Sequence, residues 1–203
     1  MQEQKAFIRY YRILFGLLGL SAVITEIAVL TERSLFVPSN FFSYFTIESN
    51  LFAIALLLYL GIEGKARSKN MAFVLVRGAV TLYMLMTCVI FIVLLSGLEG
   101  AMLTAVPWDN VVLHYILPIA ILGDWLLDKP VVKVGFKKAL TWLVFPIIYV
   151  VYSLLRGGFT GWYPYPFLNP QPHGYLYVFG MSAILLVGIV ITTWLLWRPL
   201  RKK

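Results

Sequence analysis

The sequence predicts an all-α, polytopic membrane protein built as a bundle of six transmembrane helices. Hydrophobic residues make up 61% of the 203 residues and charged residues only 13%, whereas soluble domains average about 25% charged residues. Six apolar runs of roughly 20 residues, the length that a helix needs to cross a bilayer, nearly fill the chain. None of them alternates as a membrane β-barrel strand does, so helices are the expected way to satisfy the backbone in hydrocarbon.

The connections between these runs are short, and we therefore expect one membrane domain over residues 1–203. The first run follows a basic lead but ends without a small-x-small cleavage site, so we interpret it as a retained span rather than a secretory signal. The spans are predicted at about residues 13–30, 42–62, 72–95, 111–127, 136–155 and 175–197.

The basic residues alternate from one side of the predicted bundle to the other. Fourteen Lys or Arg residues lie in the N-terminal segment, in the connections between spans two and three and between spans four and five, and in the C-terminal tail. The other connections hold only Arg33 and Arg156, and Arg77 can snorkel to the side of its basic neighbours. The positive-inside rule then predicts that both termini are cytoplasmic.

The net charge of +8 does not indicate nucleic-acid binding, because the basic residues form short clusters between apolar runs instead of one aromatic-rich face. We expect no nucleic-acid or soluble partner. A single cysteine, Cys88, excludes an internal disulfide, and two histidines without an HExxH motif argue against zinc or bis-histidine haem. No P-loop or GxGxxG occurs, and we expect neither a metal nor a cofactor.

Span two carries the most informative polar residues. On a helix, Thr46, Ser49 and Asn50 fall within a narrow arc while Glu48 points roughly the opposite way. Polar groups at membrane depth are costly unless they have partners or a function. The predicted topology places Thr46 and Asn50 about 6 to 12 Å below the extracytoplasmic interface at the rise of an α-helix.

Other spans bring polar residues to the same depth. His114 is the one histidine inside a predicted span, Asn110 lies one turn before it, and Pro118 should kink the helix four residues later. Glu26 shares a face with the small residues Gly19 and Ala22, so it should point into the bundle. Span five adds an i, i+3, i+4, i+7 stripe that consists of Tyr149, Tyr152, Ser153 and Arg156.

A hydroxyl beside an imidazole in a water-poor site is the minimum for acyl transfer. We therefore consider Thr46 as a nucleophile and His114 as its general base. Asn50 and the tyrosines of span five are candidate oxyanion donors, and Glu26 could orient the imidazole. Ser49, Asn110, Tyr149, Tyr152 and Arg156 are the further supporting candidates.

Two other classes of function stay open. Ordinary helix packing also explains a buried Thr or His, and the polar layer would then serve a membrane protein that binds a lipid or small molecule without turnover. A proton-coupled transporter would use Glu26, Glu48, His114 and Asp124 as a relay. For Asp124 the simpler interpretation is a helix-end anchor that meets Lys129 or Arg77.

Three short motifs carry a resemblance to a known family: YFTIESN at the start of span two, LHYILP in span four, and GWYPYPFLNP after span five. The chain resembles the androgen-induced-gene family of integral membrane proteins, and its spacing is similar to that of a bacterial branch. The resemblance implies a threonine hydrolase of fatty acid esters of hydroxy fatty acids, with Thr46 and His114 in the catalytic positions. It also implies a bacterial cytoplasmic membrane and a membrane lipid or lipid ester as substrate.

Overall fold

The computed structural model describes residues 2–63, 70–97 and 104–201, and these ranges contain helices and turns but no β-strand. Six helices within them are long and apolar enough to cross a membrane, so the predicted all-α fold is confirmed there. The sidedness of the termini stays a prediction, and the basic residues Lys65, Arg67, Lys69, Lys202 and Lys203 lie outside the described residues. The helices are α1 (Gln2–Glu32), α2 (Phe45–Glu63), α3 (Met71–Leu95), α4 (Pro107–Leu127), α5 (Phe136–Thr160) and α6 (Pro170–Arg201).

Most helices begin at residues other than those predicted, α1 already at Gln2 and α6 at Pro170, and two of the differences lie near Thr46 and His114. A separate helical turn, Pro38–Phe41, precedes α2, which therefore starts at Phe45 instead of residue 42. Helix α4 starts four residues early, because Val106 is extended and proline is favoured in the first turn of a helix. Thr46 is consequently the second residue of its helix.

The connection between α5 and α6 is shorter than the predicted spans imply. The predicted spans five and six leave residues 156–174 between them, but residues 156–160 complete α5 and α6 begins at Pro170. The helix ends at Gly161, whose φ of 72° is left-handed, as is common for a residue that follows a helix. Helix α6 is interrupted at Gly174, whose φ of 75° and ψ of 168° are not helical.

The chain divides into two compact units, residues 1–132 and 133–203. In the first unit, α1 contacts α2, α2 contacts α3, α3 contacts α4 and α4 contacts α1. Its core includes Leu57, Leu60, Met84, Leu113 and Leu117. A methyl group on Gly19 would lie 2.7 Å from Leu117, so the expected small-residue face of α1 does meet another helix.

In the second unit, the start of α5 packs against the end of α6. The rings of Phe136 and Trp197 lie 5.1 Å apart, and the Trp197 indole donates a hydrogen bond of 2.7 Å to the Val134 carbonyl. The expectation that residues 1–203 form one membrane domain stays a prediction.

A buried charge cluster of Arg12, Arg77, Asp124 and Asp128 joins α1, α3 and α4. Asp124 accepts from Arg12 through one carboxylate oxygen and from Arg77, at 2.7 Å, through the other. Asp128 accepts a second bond of 2.7 Å from Arg12. The predicted pairing of Asp124 with Arg77 is confirmed, but Arg77 is only 1% exposed and does not snorkel outwards.

Candidate active site

The structure brings Thr46 of α2 and His114 of α4 together. The Thr46 Oγ1 and His114 Nε2 atoms are 3.4 Å apart, which is a long hydrogen bond of the kind found in catalytic sites without substrate. His114 is 2% exposed and Thr46 is 9% exposed. The two residues singled out in the sequence therefore form a buried hydroxyl–imidazole pair.

A backbone carbonyl fixes the role of each imidazole nitrogen. His114 Nδ1 lies 3.1 Å from the Asn110 carbonyl oxygen, and a carbonyl can only accept a hydrogen bond. In the neutral ring Nδ1 therefore carries the proton, and the lone pair of Nε2 faces the Thr46 hydroxyl. The main-chain carbonyl of Asn110 therefore orients the imidazole, which is the role that was predicted for Glu26.

His114 lies in a π-helical turn of α4, Val112–Ile116. Such turns are rare and are frequent at functional sites. The irregularity that Pro118 predicted is thus present, although as a widened turn just before the proline.

The imidazole stacks on the Phe91 ring with centroids 4.0 Å apart and an angle of 24° between the planes. Phe91 opens a second π turn, Phe91–Leu95, in α3.

Neither the contact of Phe91 with His114 nor the π-helical hydrogen bonding was predicted from the sequence. Aromatic residues are frequent throughout the apolar runs, so one that stacks on the imidazole is not distinguished by its type. Pro118 was the available signal, since proline deprives the preceding turn of a backbone donor.

Asn50 and Ser49 have hydrogen bonds that differ from their expected roles. Asn50 Nδ2 donates to the carbonyls of Thr46 at 2.8 Å and Leu113 at 3.1 Å, which engages both amide hydrogens and leaves none for an oxyanion. Ser49 Oγ donates to the Thr46 carbonyl at 3.1 Å and lies 2.8 Å from the Thr87 hydroxyl. Both residues connect helices at the site without facing the imidazole as donors.

Glu26 binds the chain that precedes α4. Its two carboxylate oxygens accept from the Ala105 amide at 2.9 and 2.7 Å. The fully buried Asp109 carboxyl lies beside it, a neighbour that the sequence analysis missed. Glu26 therefore positions the start of α4, in which Asn110 and His114 follow.

The candidate residues of span five belong to the second unit. Tyr149 and Ser153 are buried, whereas Tyr152 is 42% exposed. The Arg156 guanidinium lies 4.4 Å from the centre of the Trp162 ring. Their part in a site with Thr46 stays a prediction.

The contacts of the acidic residues do not favour a proton relay. Asp124 is held between two guanidinium groups, and Glu26 is bound to a backbone amide. Glu48 is half-buried.

Among the described residues, no group of three or more His, Cys, Asp or Glu side chains is arranged to hold a metal ion.

No family model, curated protein or solved structure matches this chain. The resemblance to the androgen-induced-gene family therefore stays a hypothesis based on three short motifs. The proximity of Thr46 and His114 does not depend on this resemblance.

Proposed function

We propose that this chain is an intramembrane hydrolase of lipid esters, with Thr46 as the nucleophile and His114 as general base and then general acid. The observation that carries the proposal is the oriented pair: Thr46 Oγ1 lies 3.4 Å from His114 Nε2, and Nδ1 lies 3.1 Å from the Asn110 carbonyl. A nucleophile, its base and a group that orients the base form the general arrangement of a catalytic triad.

The reaction follows from these contacts. Nε2 accepts the hydroxyl proton as Thr46 Oγ1 attacks the ester carbonyl carbon, and the imidazolium then protonates the departing alcohol. The resulting acyl-threonine is attacked by water, whose proton His114 accepts and returns to Thr46 Oγ1 as the fatty acid leaves. The Asn110 carbonyl stabilises the imidazolium through Nδ1–H in both halves.

The position of Thr46 in its helix also favours this chemistry. Thr46 is the second residue of α2, so the oxyanion formed next to it lies at the positive end of the helix dipole. The apolar surroundings exclude bulk water and strengthen this interaction. A long-chain acyl ester of a hydroxy fatty acid is the substrate that the family resemblance implies, and in a membrane protein it would reach the buried pair from the lipid phase.

The test uses the full chain in detergent or nanodiscs, with a long-chain acyl ester of a hydroxy fatty acid and a fluorophosphonate probe. Thr46→Ala should abolish labelling and hydrolysis, because no hydroxyl remains to attack. His114→Ala should lower kcat by about 10²- to 10⁴-fold, the usual contribution of a general base. Thr46→Ser keeps the hydroxyl and should keep measurable turnover.

Two variants serve as matched controls. Thr81 is a buried threonine of α3 whose hydroxyl donates to the Arg77 carbonyl, and His173 is the other histidine of the chain. Thr81→Ala and His173→Ala should hydrolyse the ester as the unmodified protein does. Full activity in Thr46→Ala or His114→Ala would remove the mechanism, and bound lipid without any turnover would favour a binding protein.

A further inference from the structure

Asn50 is fully buried at the site, and the proposed reaction assigns it no step. Its amide donates to the carbonyl of Thr46 and to the carbonyl of Leu113, the residue before His114. One side chain therefore binds the main chain of α2 at the nucleophile and that of α4 next to the base.

The sequence of α4 explains why the Leu113 carbonyl needs this donor. Within the π turn, the amide of Leu117 donates to Val112, so it does not make the α-helical bond to Leu113. The next residue is Pro118, which has no amide hydrogen. A buried carbonyl without a backbone partner is costly, and Asn50 supplies the missing hydrogen bond.

The bond between Thr46 and His114 does not hold the pair by itself. At 3.4 Å it is longer than the two bonds of Asn50, which measure 2.8 and 3.1 Å. Phe91 restricts the plane of the imidazole and the Asn110 carbonyl holds Nδ1. Both contacts orient the ring, but neither fixes its distance from α2.

We propose that Asn50 is a positioning residue that sets the distance between the Thr46 hydroxyl and the His114 imidazole by joining α2 to α4. This inference rests on the proposed hydrolase function for its kinetic consequence, but its structural consequence is measurable without substrate. The Pro118 ring, the Leu113 carbonyl and the Asn50 amide act as one unit.

The main test is Asn50→Leu, which keeps a similar side-chain volume and removes both donors. We expect kcat to fall about 10- to 100-fold, because small misplacements of catalytic groups have effects of this size. KM should change by less than about threefold, since Asn50 has no free donor for the substrate. Asn50→Ser keeps one donor, so its kcat should lie between those of the unmodified protein and Asn50→Leu. It replaces Asn50→Leu as the test if that variant does not fold.

A spectroscopic readout separates positioning from loss of structure. The chain has two histidines, so ¹⁵N-histidine labelling of the His173→Ala background reports on His114 alone. The spectrum should show a protonated Nδ1 and a bare Nε2 that accepts from the Thr46 hydroxyl. In Asn50→Leu the hydrogen-bond shift of Nε2 should be lost, while Thr81→Ala should leave it unchanged.

Pro118→Ala should partly rescue the loss of kcat caused by Asn50→Leu. It returns an amide hydrogen at residue 118 that can donate to the Leu113 carbonyl, so Asn50→Leu should lower kcat less in this background than in the unmodified chain. Additive effects of the two substitutions would overturn the proposed unit.

The two proposals fail in different ways. If Thr46→Ala and His114→Ala keep full hydrolysis, the proposed roles of Thr46 and His114 are refuted, while the ¹⁵N spectrum still decides the role of Asn50. If those variants are inactive but Asn50→Leu keeps both the normal kcat and the normal spectrum, the hydrolase stands and the positioning role is refuted.

Discussion

Two buried polar regions of the first unit have opposite hydrogen-bonding character. The charge cluster of Arg12, Arg77, Asp124 and Asp128 pairs two cations with two anions, and each oxygen of Asp124 has an arginine partner. The Thr46–His114 site has neutral groups, one long bond between side chains and carbonyl acceptors from the backbone.

Under the proposed function, the charge cluster serves stability and the Thr46–His114 site serves chemistry. Charge-assisted bonds in low dielectric hold α1, α3 and α4 together, and both carboxylate oxygens of Asp124 are engaged by arginines. A neutral imidazole with an unprotonated Nε2 can accept the proton of the hydroxyl beside it. We therefore expect substitutions in the two regions to affect different measurements.

The largest effect on stability should come from Asp124→Asn. The substitution keeps the shape but leaves two buried guanidinium groups with one carboxylate, and breaking a buried ion pair in this way costs about 3–5 kcal/mol. Reversible unfolding in mixed detergent and SDS micelles measures the change. Hydrolysis per folded molecule should stay normal.

Asp128→Asn is the matched control for this prediction. The Asp128 side chain is 14% exposed, against 3% for Asp124, and its backbone carbonyl would still accept from Arg77. Asp128→Asn should lower the free energy of unfolding clearly less than Asp124→Asn does. An equal loss in both variants would mean that Asp124 is not the centre of the cluster.

Glu26→Ala should have an intermediate effect. It removes the acceptor of the buried Ala105 amide, and an unsatisfied buried group costs about 1–3 kcal/mol. Because the segment with Ala105 leads into α4, kcat should fall as well, which would link stability to the site. Glu26→Gln keeps an acceptor and should restore most of both quantities in the same unfolding and turnover assays.

The smallest effect is expected for Thr87→Val, which keeps the branched shape and removes the hydroxyl that faces Ser49. Side-chain hydrogen bonds between membrane helices average about 0.6 kcal/mol, and Ser49 would still donate to the Thr46 carbonyl. Unfolding measurements should therefore detect a change near that size, and kcat should be unaffected. A loss of several kcal/mol would show that the site also carries stability.

Hydropathy predicted the six long helices because their length and apolarity are local properties of the chain. The proximity of Thr46 and His114 followed from one further step, since the predicted topology placed both at a similar depth. Depth alone does not say which faces of two helices meet, and the structure adds that information.

The remaining contacts depend on helix neighbours and hydrogen-bond register, which the sequence pattern does not encode. The sequence pattern assigned Arg12 only a part in the topology, whereas its side chain donates to Asp124. Pro118 predicted an irregular helix, but not that the Leu113 carbonyl would lose its donor. Glu26 was expected to face the bundle and does, yet its partner is Ala105 in a connection.

The π turn of α4 has a consequence for how the site could be lost or gained. A π turn contains one residue more than an α-helical turn, so removing a single residue between Val112 and Ile116 would restore a regular helix. The helix on either side of the turn would keep about its present orientation, because the turn closes about one full rotation with either number of residues. The residues inside the turn would be re-spaced, so the direction of the His114 side chain depends on the extra residue, and a change of one residue in chain length would act on the site although Thr46 and His114 were both still present.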